Sequence, residues 1–169
     1  MLILTILLVI FPLATSAQEK EYNNETESVS EYVSKILNGP ITKEGLQQMP
    51  YKTWFNKNFK TYLIDQNSLK EIKKRKLNKL KILAFMGTWC HDSNREIPRL
   101  LRVAEELGIG GQLELYGVDV NKKSLQGREQ AYNIRKTPTI IFLLDGEEVG
   151  RILEEPEVSF EAYLAEILK

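Results

Sequence analysis

Residues 81–100 read KILAFMGTWCHDSNREIPRL. Lys81 to Met86 is a short apolar run with the length of a buried strand. Gly87-Thr88-Trp89-Cys90 reads as a turn, and His91 to Leu107 as a helix with Pro98 inside it. Cys90 thus stands where a strand hands over to a helix. The first N–H groups of a helix lack internal partners, and its dipole favours negative charge there. Such a place favours the thiolate, the nucleophilic form of cysteine. Ser93 follows three residues later, where its hydroxyl can donate to the sulfur.

Working outward, Gly108 to Gly111 end the helix and Gln112 to Val120 alternates as a strand does. Lys122 to Tyr132 is expected to be helical. Thr139 to Leu144 is an apolar strand, and the Asp145-Gly146 turn joins it to Glu148–Leu153 as a hairpin. Val158 to Leu168 closes the chain as a helix with a stripe of Phe160, Leu164, Ile167 and Leu168. Upstream, Asn67-Ser68 can cap a basic helix from Leu69 to about Leu77, whose lysines read as a solvated face. The order from Leu69 is α-β-α-β-α-β-β-α. It predicts an α/β fold, with parallel pairing of the helix-separated strands and an antiparallel edge from the hairpin.

Between Thr42 and Leu63, the residues Trp54, Phe55, Phe59, Tyr62 and Leu63 follow helical spacing. They predict an amphipathic layer packed on the domain rather than an aromatic ligand site. Gln18 to Ser34 is polar and acidic, an expected tail turning helical near Tyr32-Val33 and Ile36-Leu37, with Asn38-Gly39-Pro40 as a stop.

The 169 residues carry 23 basic and 23 acidic side chains, one His and one Cys. Zero net charge argues against a protein built to grip nucleic acid. A lone Cys and a lone His leave no internal disulfide, no cysteine-clustered metal site and no multi-histidine site. No cofactor is implied. Residues 1–17, MLILTILLVIFPLATSA, are uncharged, and the apolar stretch Leu2–Leu13 is shorter than the ~20 residues that span a bilayer. With Thr15-Ser16-Ala17 as a small-residue cleavage site, the segment is expected to be a signal peptide cut before Gln18. The protein would then be exported, to the periplasm or outside the cell. A membrane association is expected only if the segment stays uncleaved.

Trp89-Cys90-His91-Asp92-Ser93 resembles the Trp-Cys-x-x-Cys site of the thioredoxin superfamily, with Ser93 in the place of the second Cys. Pro98 lies eight residues after Cys90, where thioredoxins have a helix-kinking proline. Tyr132 to Thr139, YNIRKTPT, resembles the loop that ends in a cis-proline, and Asp145-Gly146-Glu147 resembles the hairpin turn after it. The site segment is most similar to secreted bacterial thioredoxin-like proteins with a Trp-Cys-x-Asp-Ser motif. The resemblance covers residues 68–169 and leaves 18–67 as a polar tail and helical extension. It implies a thioredoxin-like fold, a mixed sheet flanked by helices. It also implies roles: Cys90 as the attacking sulfur, Trp89 as a wall of the groove, and Pro138 in cis opposite Cys90. There Pro138 would present the Thr137 backbone to an extended substrate segment. His91, when protonated, would help the thiolate and Asp92 would oppose it, or both face solvent.

Three departures narrow the chemistry. Ser93 cannot resolve a mixed disulfide, so this chain alone cannot run a dithiol cycle. The buried acid that thioredoxins carry six residues before the first Cys is Ala84 here. The groove-lining Gly near the end of the hairpin is replaced in the Leu153-Glu154-Glu155 region. Two functions fit. One is a monothiol protein that forms mixed disulfides through Cys90, with protein or peptide thiols and disulfides as partners and an external thiol reductant to recycle it. The other is a non-catalytic thioredoxin-like module that binds extended peptides.

Overall fold

The computed structural model describes residues 21–28 and 34–169. The expected signal segment and the expected helical turn at Tyr32-Val33 lie outside the described residues. In chain order the elements are β1 (Glu25–Glu27), β2 (Lys35–Leu37), β3 (Gly39–Ile41), α1 (Lys43–Leu46), α2 (Lys52–Thr61) and α3 (Gln66–Lys73). There follow β4 (Leu80–Met86), α4 (His91–Glu106), β5 (Leu113–Gly117), β6 (Thr139–Leu144), β7 (Glu147–Leu153) and α5 (Phe160–Ile167).

The main sheet has the order β3-β5-β4-β6-β7. β4 is its centre, and its seven residues leave no exposed position, as expected for a strand covered on both faces. Alternation splits its side chains. Ile82, Ala84 and Met86 join Ile140 and Phe142 in an apolar cluster with residues of all five helices. Leu83 and Phe85 join Tyr116, Val118, Ile134, Ile141 and Leu143 on the other side.

Pairing is less parallel than the element order predicts. Only β4 and β5 run parallel; β6 is antiparallel to β4, with Ala84 opposite Ile140. The reason lies in the β5–β6 connection. β6 starts at the end of the sheet where β5 stops, so the chain does not recross the sheet and needs no crossover helix. The helix expected over Lys122–Tyr132 is accordingly absent. Asp119 Oδ1 accepts from the Asn121 and Lys123 amides, 2.8 Å each, and Lys122 and Gly127 take positive φ. Only Arg128–Tyr132 winds, as a 3-10 turn. This segment covers the second face with Tyr132 and Ile134.

The N-terminal region also departs from expectation. Ile36-Leu37 is extended, not helical: β1 and β2 form a separate antiparallel pair with Thr26 opposite Ile36. Asn38-Gly39-Pro40 leads into the sheet rather than stopping a helix. Gly39 (φ +86°) turns the chain and β3 pairs antiparallel with β5, Pro40 opposite Tyr116. Gly117 lets the end of β2 approach as the chain enters β3, since a Cβ there would lie 2.2 Å from the Leu37 carbonyl oxygen. The aromatic stretch is two helices, α1 and α2, with Pro50 between them. Phe55 is fully buried on the core side, whereas Leu63 is 90% exposed and takes no part in the stripe. Asp65, not Asn67-Ser68, caps α3: its Oδ1 accepts from the Asn67 and Ser68 amides at 3.0 and 3.3 Å.

Pro98 shapes how α2 meets α4. A proline has no N–H, so the carbonyl four residues earlier, at Asn94, loses its helical donor. Asn58 Nδ2 of α2 donates to that carbonyl at 3.0 Å. The same amide donates to the Trp54 carbonyl at 3.0 Å, so one side chain ties both helices.

Candidate active site

β4 delivers the chain to the C-terminal end of the central strand, and Gly87-Thr88-Trp89 turns it into α4. Cys90 is the N-cap residue of α4, extended at φ −92° and ψ 125°, and is half-buried. Its Sγ lies 3.1 Å from the Thr137 carbonyl oxygen, to which the thiol donates. Thr137 is buried, and its bond to Pro138 is cis. The loop before β6 therefore faces the sulfur directly. β4 and β6 are paired up to Phe85 opposite Thr139, which sets these two strand ends side by side.

Ser93 is fully buried, and its Oγ accepts from the Gly87 amide at 3.2 Å. Among the described residues it makes no hydrogen bond to the sulfur, which corrects the expected Ser93-to-Cys90 contact. Its place in the first turn of α4 points it back at the end of β4, where it holds the turn that carries Cys90. The sulfur also makes no capping bond to the α4 amides. Position at a helix start gives the sulfur the dipole but no hydrogen bond from a helix amide.

Trp89 is fixed from three sides. Its Nε1 donates to the Val118 carbonyl at 2.9 Å, and Lys122 Nζ sits 5.2 Å from the ring centroid. The ring lies over Gly87, where a Cβ would stand 2.4 Å from Cε2. His91 is 90% exposed, with Nδ1 3.9 Å from Asp92 Oδ1. Among the described residues it makes no bond to the sulfur.

Charged side chains frame the loop. Lys136 Nζ meets Glu154 Oε2 at 2.6 Å, and the Glu154 amide donates to the Pro138 carbonyl at 2.8 Å. Arg95, one turn into α4, pairs with Asp92 at 3.1 Å and with Glu155 at 2.7 Å. Its hydrogen bond to buried Glu96 is the main cause that holds the Arg95 guanidinium above its ordinary pKa. Sequence reasoning missed Lys122 and Arg95, read Gly87 only as part of a turn and read Glu155 only as part of the region that replaces the groove glycine. Only Gly87 had a local signal, a glycine two residues before a tryptophan.

A strand, a Trp-Cys turn, a proline-bearing helix and a cis-proline loop facing the sulfur form one constellation. A thioredoxin family model matches residues 42–166. The chain belongs to the thioredoxin family. The match begins at Thr42, so it takes in α1 to α3 as well as the α/β core. Among solved structures the chain is similar to thioredoxin O2 of Arabidopsis thaliana in its oxidised state. There the identity is 18%, over 59% of this chain and 85% of that one, with a TM-score of 0.42. Fasciola hepatica thioredoxin is 25% identical, covering 61% of this chain and 86% of its own, with a TM-score of 0.38. Mitochondrial thioredoxin 3 of Saccharomyces cerevisiae is 18% identical over 60% and 85%, with a TM-score of 0.38. No curated protein matches the sequence. Membership of the family supports a thiol–disulfide redox type of function, and protein thiols or disulfides are consistent substrates. Among the described residues no group of three metal-ligating side chains occurs, and no helix is long and apolar enough to cross a membrane.

Proposed function

We propose that this thioredoxin-family chain is a monothiol thiol–disulfide exchange protein of an exported compartment, periplasmic or extracellular. Cys90 Sγ, as thiolate, attacks one sulfur of a substrate disulfide. The Cys90–substrate S–S bond forms, the substrate's own S–S bond breaks, and the departing sulfur leaves as a thiolate that takes a proton from water. A second thiol then attacks the mixed disulfide and frees Cys90. It is another cysteine of the substrate, giving isomerisation, or an external small thiol. The hydroxyl of Ser93 cannot serve as that thiol; its role is to hold the Gly87 turn that positions Cys90.

The observation that carries this reading is the half-buried Cys90 sulfur at the start of α4, 3.1 Å from the Thr137 carbonyl beside cis-Pro138. Trp89 walls the approach, and the Thr137–Pro138 loop lies beside the sulfur where an extended segment would dock. Export rests on the uncharged segment 1–17. The test is turnover of a scrambled disulfide substrate with added small thiol. The parent protein should accelerate it and Cys90→Ser should not; equal rates reject the proposal.

One observation favours the second reading, a peptide-binding module without redox turnover. The sulfur donates to the Thr137 carbonyl rather than accepting from the α4 amides. Alkylation of Cys90 no faster than that of a small free thiol, with peptide binding unchanged in Cys90→Ser, would select this reading.

A further inference from the structure

A cleft of about 400 Å³ lies between β7 and α5, and its Glu155 wall also belongs to the charged frame of the site. Its rim is apolar and open: Leu153 is 47% and Val158 84% exposed. Together these two side chains give the cleft an apolar edge open to a partner. The cleft begins where the cis-proline loop ends. Leu153 lies opposite Thr139 in the sheet, and the Glu154 amide is bonded to the Pro138 carbonyl at 2.8 Å. Glu155 reaches back to Arg95 of α4 at 2.7 Å. The near wall of the cleft is therefore continuous with the cis-proline loop that faces Cys90.

Its charge is one-sided. Arg151 is the one cation in the lining, and its guanidinium is already held by Glu148 at 2.5 and 2.7 Å. Glu157 and Glu166 also line the cleft, are exposed, and have no ion-pair partner among the described residues. The surface thus offers apolar contact with uncompensated negative charge.

We propose that this cleft selects substrates. It takes an apolar side chain next to a lysine or arginine from the segment flanking the substrate's disulfide. The preferred substrate is a basic, partly apolar polypeptide disulfide. This rests on the Cys90 reading above, because the cleft acts on chains delivered to that sulfur.

The experiment uses the full chain and three disulfide-bonded peptides that differ only beside the cysteine: Leu-Arg, Leu-Glu and Ser-Ser. Mass spectrometry follows the rate of mixed-disulfide formation at low and high salt. Leu-Arg should be captured about five- to tenfold faster than Leu-Glu at low salt, with the gap shrinking at high salt. Glu157→Lys combined with Glu166→Lys should reverse the order, and Val158→Ser should slow Leu-Arg. In all these variants the iodoacetamide reactivity of Cys90 should equal the parent's. Equal capture of the three peptides at a reactive Cys90 overturns the cleft and leaves the exchange reading standing. Capture of none overturns the exchange reading and the cleft with it.

Discussion

Cys90 was legible from five neighbouring residues, because a strand-turn-helix pattern is local and a lone cysteine in it has few other readings. The directions of the side chains around it were not legible. Ser93 looks like a partner for the sulfur when counted along the sequence, yet its position in the first turn of α4 aims it at the Gly87 amide. Ser93→Ala removes the acceptor of a buried N–H and should cost about 1–3 kcal/mol. A lowered urea midpoint, with mixed-disulfide formation at Cys90 retained, is the expected outcome; loss of capture without loss of stability would give Ser93 a direct chemical part. Gly87 has a different duty. A methyl group there meets the Trp89 indole at 2.4 Å, so Gly87→Ala should push the ring off the Val118 carbonyl. Tryptophan fluorescence should shift and peptide capture should slow; an unchanged spectrum would show that the indole is not held as described.

The elements divide by how much of their cause is local. β4, α4, the β6–β7 hairpin and α5 carry strong periodicity and turn signals, and the structure has them close to the expected bounds. The 122–132 segment fails as a helix because Asp119, Lys122 and Gly127 set local turns and the topology leaves no crossover to span. β3 was invisible because Asn-Gly-Pro reads as punctuation. Only its partner β5, tens of residues away, makes a strand of it. The same non-local logic joins α2 to α4. Pro98 frees the Asn94 carbonyl, and Asn58 fills it. Asn58→Leu should leave that carbonyl unpartnered and lower stability by about 1–3 kcal/mol, read from urea unfolding. A neutral effect would mean that water replaces the amide without cost.

At the scale of the whole molecule, the helical layer is tied together by a buried carboxylate. Glu161 of α5 is fully buried and accepts from the Tyr62 hydroxyl at 2.7 Å and the Asp65 amide at 3.0 Å. This knot fixes the α2–α3 corner on α5. Burial, then the hydrogen bond and the charge of Glu161, hold the Tyr62 phenol far above the ordinary tyrosine pKa. Burial and the charge of Glu25 raise Tyr51 as well. Below pH about 10 both phenols are protonated in the folded and the unfolded chain, and the contribution is fully present. Above that, the unfolded chain releases protons that the folded chain keeps, so stability falls as pH rises. The urea midpoint should drop from pH 9 to 11, and the drop should be shallower in Tyr62→Phe; parallel profiles for the two proteins would contradict this account.

The central claim is that the sulfur of Cys90 is reachable and forms a mixed disulfide that an outside thiol can break. It is tested most directly by incubating the full chain with a disulfide-bonded peptide and weighing the product intact. The account predicts one adduct of the mass of half the peptide disulfide, located at Cys90, absent in Cys90→Ser and released by a small thiol. An unmodified chain after prolonged incubation, with Cys90 still a free thiol, would contradict it.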